Sequence, residues 1–93
     1  MNHIITHLLR VHGRVQGVGF RNYIYGEAQR RSVTGWVRNC PDGTVEAMLQ
    51  GKPPDVGAVE AACRKGPAFA NVDHVERFPV DPDVNYETFQ IRS

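Results

Sequence analysis

Apolar and polar residues alternate along the first part of the chain. Between His7 and Val15, the odd positions Leu9, Val11, Gly13 and Val15 are apolar or small. Arg10, His12 and Arg14 between them are polar, and only Leu8 breaks the pattern. A period of two predicts a half-buried strand. The segment Gln16-Gly17-Val18-Gly19 is too rich in glycine to continue it comfortably. From Phe20 to about Arg31 the spacing becomes helical, with Phe20, Ile24 and Ala28 on one face. Two further alternating runs, Val33 to Asn39 and Thr44 to Gln50, flank Pro41-Asp42-Gly43. In that turn proline presets φ and glycine supplies the unusual conformer, so the runs predict a β-hairpin.

A second helix follows. Pro54 suits its start and Asp55 places negative charge in its first turn. Val56, Val59, Ala62 and Cys63 make its apolar stripe, and Arg64, Lys65, Gly66 and Pro67 read as its end. Val72 to Val80 and Tyr86 to Arg92 read as extended segments, the latter with Phe89 and Ile91 on one face. The order is β-α-β-β-α-β with a short final strand. Two helices that are each apolar on one side must cover the same face of a sheet. The expected fold is α+β, a ferredoxin-like sandwich with an antiparallel sheet. That plan hosts many functions and names none.

Composition narrows the choice. At 93 residues the chain has room for one domain over residues 1–93. No stretch approaches the ~18 consecutive apolar residues of a membrane span. Met1 to His7 has neither a basic lead nor a long apolar run, so a cytoplasmic protein is expected. Lys and Arg number 11 against 10 Asp and Glu, which gives no strong pull toward nucleic acid or an anionic membrane. The two cysteines, Cys40 and Cys63, form no Cys-x-x-Cys pair and are expected as reduced thiols. His3, His7, His12 and His74 are scattered at spacings that suggest no metal site.

The chemistry concentrates in Gly13-Arg14-Val15-Gln16-Gly17-Val18-Gly19-Phe20-Arg21, where a strand hands over to a helix. Glycines allow several backbone N–H groups to converge on one concavity. The following helix adds its unpaired N-terminal N–H groups and the positive end of its dipole. Together these make an anion site sized for phosphate. Arg21 at its rim has a planar fork able to hold two phosphoryl oxygens. A plain tight turn with a solvated Arg21 is the competing reading of the same residues. Other phosphate loops fit badly. No Lys-[Ser/Thr] follows the glycines, as a nucleotide P-loop requires, and Asn22 stands where the dinucleotide fingerprint has its third glycine.

This run, followed by Thr34-Gly35-Trp36-Val37-Arg38-Asn39 and Pro41-Asp42-Gly43, closely resembles the acylphosphatase family. The likeness extends to Gly66-Pro67 and to the Phe89-Gln90-Ile91-Arg92 ending. It implies hydrolysis of acyl phosphates, with no cofactor, no metal and no covalent phospho-enzyme. By motif match the phosphate-binding arginine is Arg21 and the catalytic asparagine Asn39. The cradle is Gln16, Gly17, Val18, Gly19, Phe20 and Arg21, acting mainly through backbone N–H groups. The chain departs from the family at Ser32, where a glycine is common, at Asn22 and at Cys40. The expected partner is a small acyl phosphate, with no nucleic acid or membrane, and a monomer is the default.

Such chemistry needs no nucleophile–base pair. The leaving carboxylate has a conjugate acid of pKa about 4 and departs without a general acid. The rest is positioning and electrostatics. Trp36 and the tyrosines read as packing residues, and Arg14 and Arg38 either raise the local potential or are solvated strand charges. An RNA-recognition module shares the element order but needs aromatics on its third strand, which here reads Thr44-Val45-Glu46-Ala47-Met48-Leu49-Gln50. A metal-carrying ferredoxin-like protein lacks its Cys-x-x-Cys pair. A domain that binds an acyl or carbamoyl phosphate for a partner enzyme is a closer alternative.

Overall fold

The chain begins its order with strand β1 (Ile5–Arg14), which buries Leu9 and Val11 completely while Arg10 and His12 face away. The structure is a computed structural model and describes residues 3–81 and 83–92. The remaining elements are α1 (Phe20–Arg30), β2 (Thr34–Asn39), β3 (Val45–Gly51), α2 (Pro53–Lys65), β4 (Asn71–Pro79) and β5 (Phe89–Arg92). Met1, Asn2, Pro82 and Ser93 lie outside the described residues, and part of the Met1 to His7 segment read in the sequence lies among them.

The strands form a five-stranded sheet in the order β4-β1-β3-β2-β5. β1 pairs with β3 and β4, and β2 with β3, all antiparallel. Alternation of side chains puts Leu9, Val11, Val37, Val45, Ala47 and Leu49 on one face. There they join Phe20, Ile24 and Ala28 of α1 and Val56, Val59 and Cys63 of α2 in a single apolar cluster. Both helices therefore cover the same face. The fold is the α+β ferredoxin-like sandwich.

The expected all-antiparallel sheet needs correction, because β5 pairs with β2 in parallel. β4 occupies the far edge and ends beside the start of β1, where Val80 N–H donates to the Thr6 carbonyl at 3.1 Å. The chain must then pass that end of the sheet to reach β2. Gln50 holds the passing segment, donating from Nε2 to the Val84 carbonyl at 2.8 Å and accepting from Tyr86 N–H at 2.9 Å. Arriving from that end, β5 runs alongside β2 in the same direction. The passage also shortens the strand, which starts at Phe89 rather than Tyr86.

Two local differences have physical causes. Ser32 sits at φ 54°, in the left-handed region, where the chain leaves α1. Val33 N–H donates to the Ala28 carbonyl at 2.9 Å and Ser32 N–H to that of Gln29 at 3.4 Å. This is a Schellman cap built without its usual glycine. On α2 the buried stripe takes in Glu60, while Ala62 is only half-buried. Glu60 is tolerated because Arg64 at 3.2 Å, Arg77 at 3.5 Å and His7 at 3.6 Å surround it.

The other face of the sheet carries a charged layer. Buried Glu46 accepts from Arg10 Nη2 at 2.8 Å and from Arg38 Nε and Nη2 at 2.9 and 2.6 Å. Trp36 is nearly buried between the guanidinium groups of Arg38 and Arg92, at 5.5 and 5.0 Å from its ring. Both thiols are free, and burial in the core pushes that of Cys63 up.

Candidate active site

β1 and β2 both lie antiparallel to β3, so their C-terminal ends meet at the same end of the sheet. The loop after β1 and Asn39 at the close of β2 are thereby brought together. Between them lies a cavity of about 130 Å³ lined by Val15, Gly17, Gly19, Phe20, Arg21, Asn22, Asn39 and Ile91. Among these lining residues Arg21 is the charged side chain, and no carboxylate is present.

The loop gets its shape from two glycines. Gly17 and Gly19 stand at φ 74° and 78°, a conformation that costs an L side chain energy. Alternating left-handed residues turn successive N–H groups toward one side. Gly19 is also the N-cap of α1 and gives the helix no side-chain cap. The first helical bond runs from Tyr23 N–H to the Gly19 carbonyl at 3.0 Å. The amides of Phe20, Arg21 and Asn22 precede that bond and have no intrahelical acceptor. The first turn of α1 holds no acidic residue, so its positive pole is not neutralised locally. The site thus combines free N–H groups, a helix pole and a guanidinium.

Arg21 leans on the last strand. Its Nη1 donates to the Arg92 carbonyl at 3.2 Å, which fixes the fork, and its other donors have no side-chain or carbonyl partner among the described residues. Asn39 lies on the helix-facing side of β2, in line with Gly35 and Val37, and lines the same cavity as Arg21. The structure therefore brings the two together.

The expected cradle residues divide. Gly17, Gly19, Phe20 and Arg21 line the cavity, whereas Gln16 and Val18 do not. Val18 packs against the core. Gln16 turns its side chain the other way, and its Nε2 donates to the Cys40 carbonyl at 2.8 Å and the Thr44 carbonyl at 2.9 Å. It clamps the loop to the β2–β3 turn immediately after Asn39. That turn is itself braced, with Asp42 accepting from Thr44 N–H at 3.0 Å and Thr44 Oγ1 at 2.6 Å. These bonds hold the Asp42 carboxyl below the usual carboxylate range. Arg38 points to the opposite face and Arg14 is exposed, so neither lines the cavity. Three lining residues went unassigned in sequence, Val15, Asn22 and Ile91. Val15 and Ile91 stand at apolar positions of their strands' alternation that also fit plain core, which hid their second role.

Comparison with known proteins decides the family. The acylphosphatase family model matches residues 8–91. The chain belongs to the acylphosphatase family. An acylphosphatase of Anaeromyxobacter dehalogenans is 50% identical over 82 residues, which cover 88% of each chain. One from Thermococcus kodakarensis is 50% identical over 76 residues, 82% of each chain. Among solved structures, the crystal structure of acylphosphatase from Bacillus subtilis superposes with a TM-score of 0.92 at 31% identity, covering 96% of this chain and 99% of that one. The same fold matches part of a larger protein, T. kodakarensis HypF, with a TM-score of 0.82 at 30% identity. There it covers 97% of this chain but 12% of the other.

Proposed function

We propose that this chain hydrolyses the carboxyl–phosphate anhydride of acyl phosphates, with the phosphoryl group seated in the cavity between Arg21 and Asn39. One observation carries the assignment of the site. Arg21 and Asn39, far apart in sequence, line one hollow whose other walls are a glycine loop and a helix N-terminus, with no carboxylate among its described lining residues.

In this reading the loop amides and Arg21 grip the phosphoryl oxygens and stabilise charge on the equatorial ones. Asn39 presents a carbonyl oxygen and an NH₂ that orient a water for in-line attack. The water oxygen bonds to phosphorus as the bond to the acyl oxygen breaks. The bonding pair leaves on the carboxylate, which is stable enough to need no proton. Neither Arg21 nor Asn39 is a base, so the water's proton passes to a phosphoryl oxygen of the substrate itself. The products are a carboxylate and inorganic phosphate. Every group in this scheme comes from one chain, which supports a monomer acting on a free small molecule.

The test is turnover of benzoyl phosphate by chelator-treated protein, beside a simple phosphomonoester as control. Arg21→Ala is expected to abolish phosphate inhibition and to lower the rate by at least ~10²-fold, the scale for one preorganised contact to developing charge. Arg21→Lys restores little, because a point charge lacks the fork. Full activity in Arg21→Ala would refute the site. The match to part of HypF favours one second reading, a module that binds an acyl or carbamoyl phosphate for a larger assembly. Phosphate binding by the wild type without turnover would favour that reading over the first.

A further inference from the structure

On the face of the sheet turned away from the helices, the register brings together three side chains that sequence spacing kept apart. His12 on β1 lies directly opposite His74 on β4. Their rings stack with centroids 4.1 Å apart and planes 9° from parallel. Glu76 stands two residues along β4 on the same face, and His12 Nε2 meets its Oε1 at 2.7 Å. One ligand atom from each of the three lies within 4.8 Å of the others. We propose that His12, His74 and Glu76 bind a zinc-like divalent cation that ties the edge strand β4 to β1.

The donor set selects the ion class. Two imidazoles and one carboxylate suit zinc and its neighbours, whereas calcium and magnesium prefer oxygen alone. Zinc bonds nitrogen and oxygen at about 2.0–2.2 Å, so ligand atoms around it stand roughly 3.3 Å apart. The 2.7 Å contact must open and the wider ones must close. Both are side-chain rotations, and room exists because the His12 and Glu76 side chains are 29% and 43% exposed. Neutral imidazoles and a carboxylate are the forms in which such side chains hold a metal. Arg10 is a positive charge felt by Glu76, and it is committed to Glu46 at 2.8 Å. Exposure of the cluster leaves the fourth position to water.

β4 is an edge strand, and edges are where a sheet is most readily opened. A cation held by both strands would brace that edge. The cluster faces away from the cavity of Arg21 and Asn39, so metal-free turnover is unaffected.

The experiment titrates tag-free, chelator-stripped protein with Zn²⁺ by calorimetry, with thermal melting and Co²⁺ visible absorption as independent readouts. One equivalent of zinc, a raised Tm and an intense low-coordinate Co²⁺ spectrum are expected. His12→Gln, His74→Gln and Glu76→Gln should each weaken binding by at least ~10-fold, since even outer-shell partners cost 10–100-fold. His3→Gln and His7→Gln should leave binding unchanged. The proposal is overturned if zinc gives no heat and no rise in Tm at millimolar concentration. It is equally overturned if the His12 and His74 variants bind as the wild type does, which would place the ion elsewhere. Benzoyl phosphate turnover of stripped wild type and of His12→Gln should be equal, which separates this test from that of the catalytic site.

Discussion

Replacing Gln16 by alanine separates holding the loop from forming it. The side chain donates to the Cys40 and Thr44 carbonyls at 2.8 and 2.9 Å and touches nothing in the cavity. Each neutral bond contributes about 0.5–1.5 kcal/mol net. Both carbonyls keep a second partner, since Gly43 N–H donates to Cys40 at 3.1 Å and Cys40 N–H to Thr44 at 2.9 Å. The stability cost therefore falls at the low end, about 1–2 kcal/mol in a urea melt. The kinetic cost should be larger in proportion. Without the clamp the phosphate-holding loop is no longer fixed relative to Asn39, and misplacement of reacting groups by about 1 Å costs up to 10²-fold. We expect Gln16→Ala to lower kcat on benzoyl phosphate by roughly 10–10²-fold, with a smaller change in inhibition by phosphate. Gln16→Glu keeps the shape but sets a carboxylate against two carbonyl oxygens, and should do worse on both counts. A Gln16→Ala protein that loses the expected stability yet keeps kcat within about twofold would show that the clamp only supports the fold.

Three further outcomes follow from the structure. Asn39→Ala should depress kcat far more than phosphate affinity, and near wild-type hydrolysis of benzoyl phosphate would remove Asn39 from its role. Ser32→Gly should stabilise the protein, because relief of a left-handed serine outweighs the added freedom of the unfolded chain by about 0.5–1 kcal/mol, or about 2–8 °C in Tm. Thermal melts of the two proteins check it, and an unchanged or lowered Tm refutes the strain at φ 54°. The Glu46 carboxyl is held below its ordinary range, first by the hydrogen bond from Arg10 and against the opposing cost of burial. Its stabilisation is thus present above the ordinary carboxylate pKa and is lost as pH falls through the lowered one. Tm measured against pH should fall less steeply on the acid side in Glu46→Gln than in the wild type.

Much of this architecture was legible because it rests on short-range rules. Alternation in β1 and the hairpin, the glycine loop and the proline–glycine bracket around α2 all act within a few residues of themselves. The direction of β5 was not legible, since it depends on which end of the sheet the chain passes after β4. Glu60 had no place in the apolar stripe read for α2, because its three partners come from β1, β4 and the next turn of α2. Gln16 was placed correctly in the loop, but its side chain is explained by the turn at Cys40 and Thr44. His12 and His74 looked scattered because only the β1–β4 register makes them neighbours. Arg21 was reached from the glycine loop itself and Asn39 through the family likeness, and the reason they meet lies in the shared direction of β1 and β2.

The bond from Arg21 to the Arg92 carbonyl spans 71 positions of the chain. Closing so long a loop is entropically late, and contacts of this span slow folding more than local ones. A refolding molecule can therefore bury its core and still lack the strand that steadies its guanidinium. Recovery of turnover should trail recovery of the circular dichroism signal, which makes enzymatic activity a clock for the docking of the final strand.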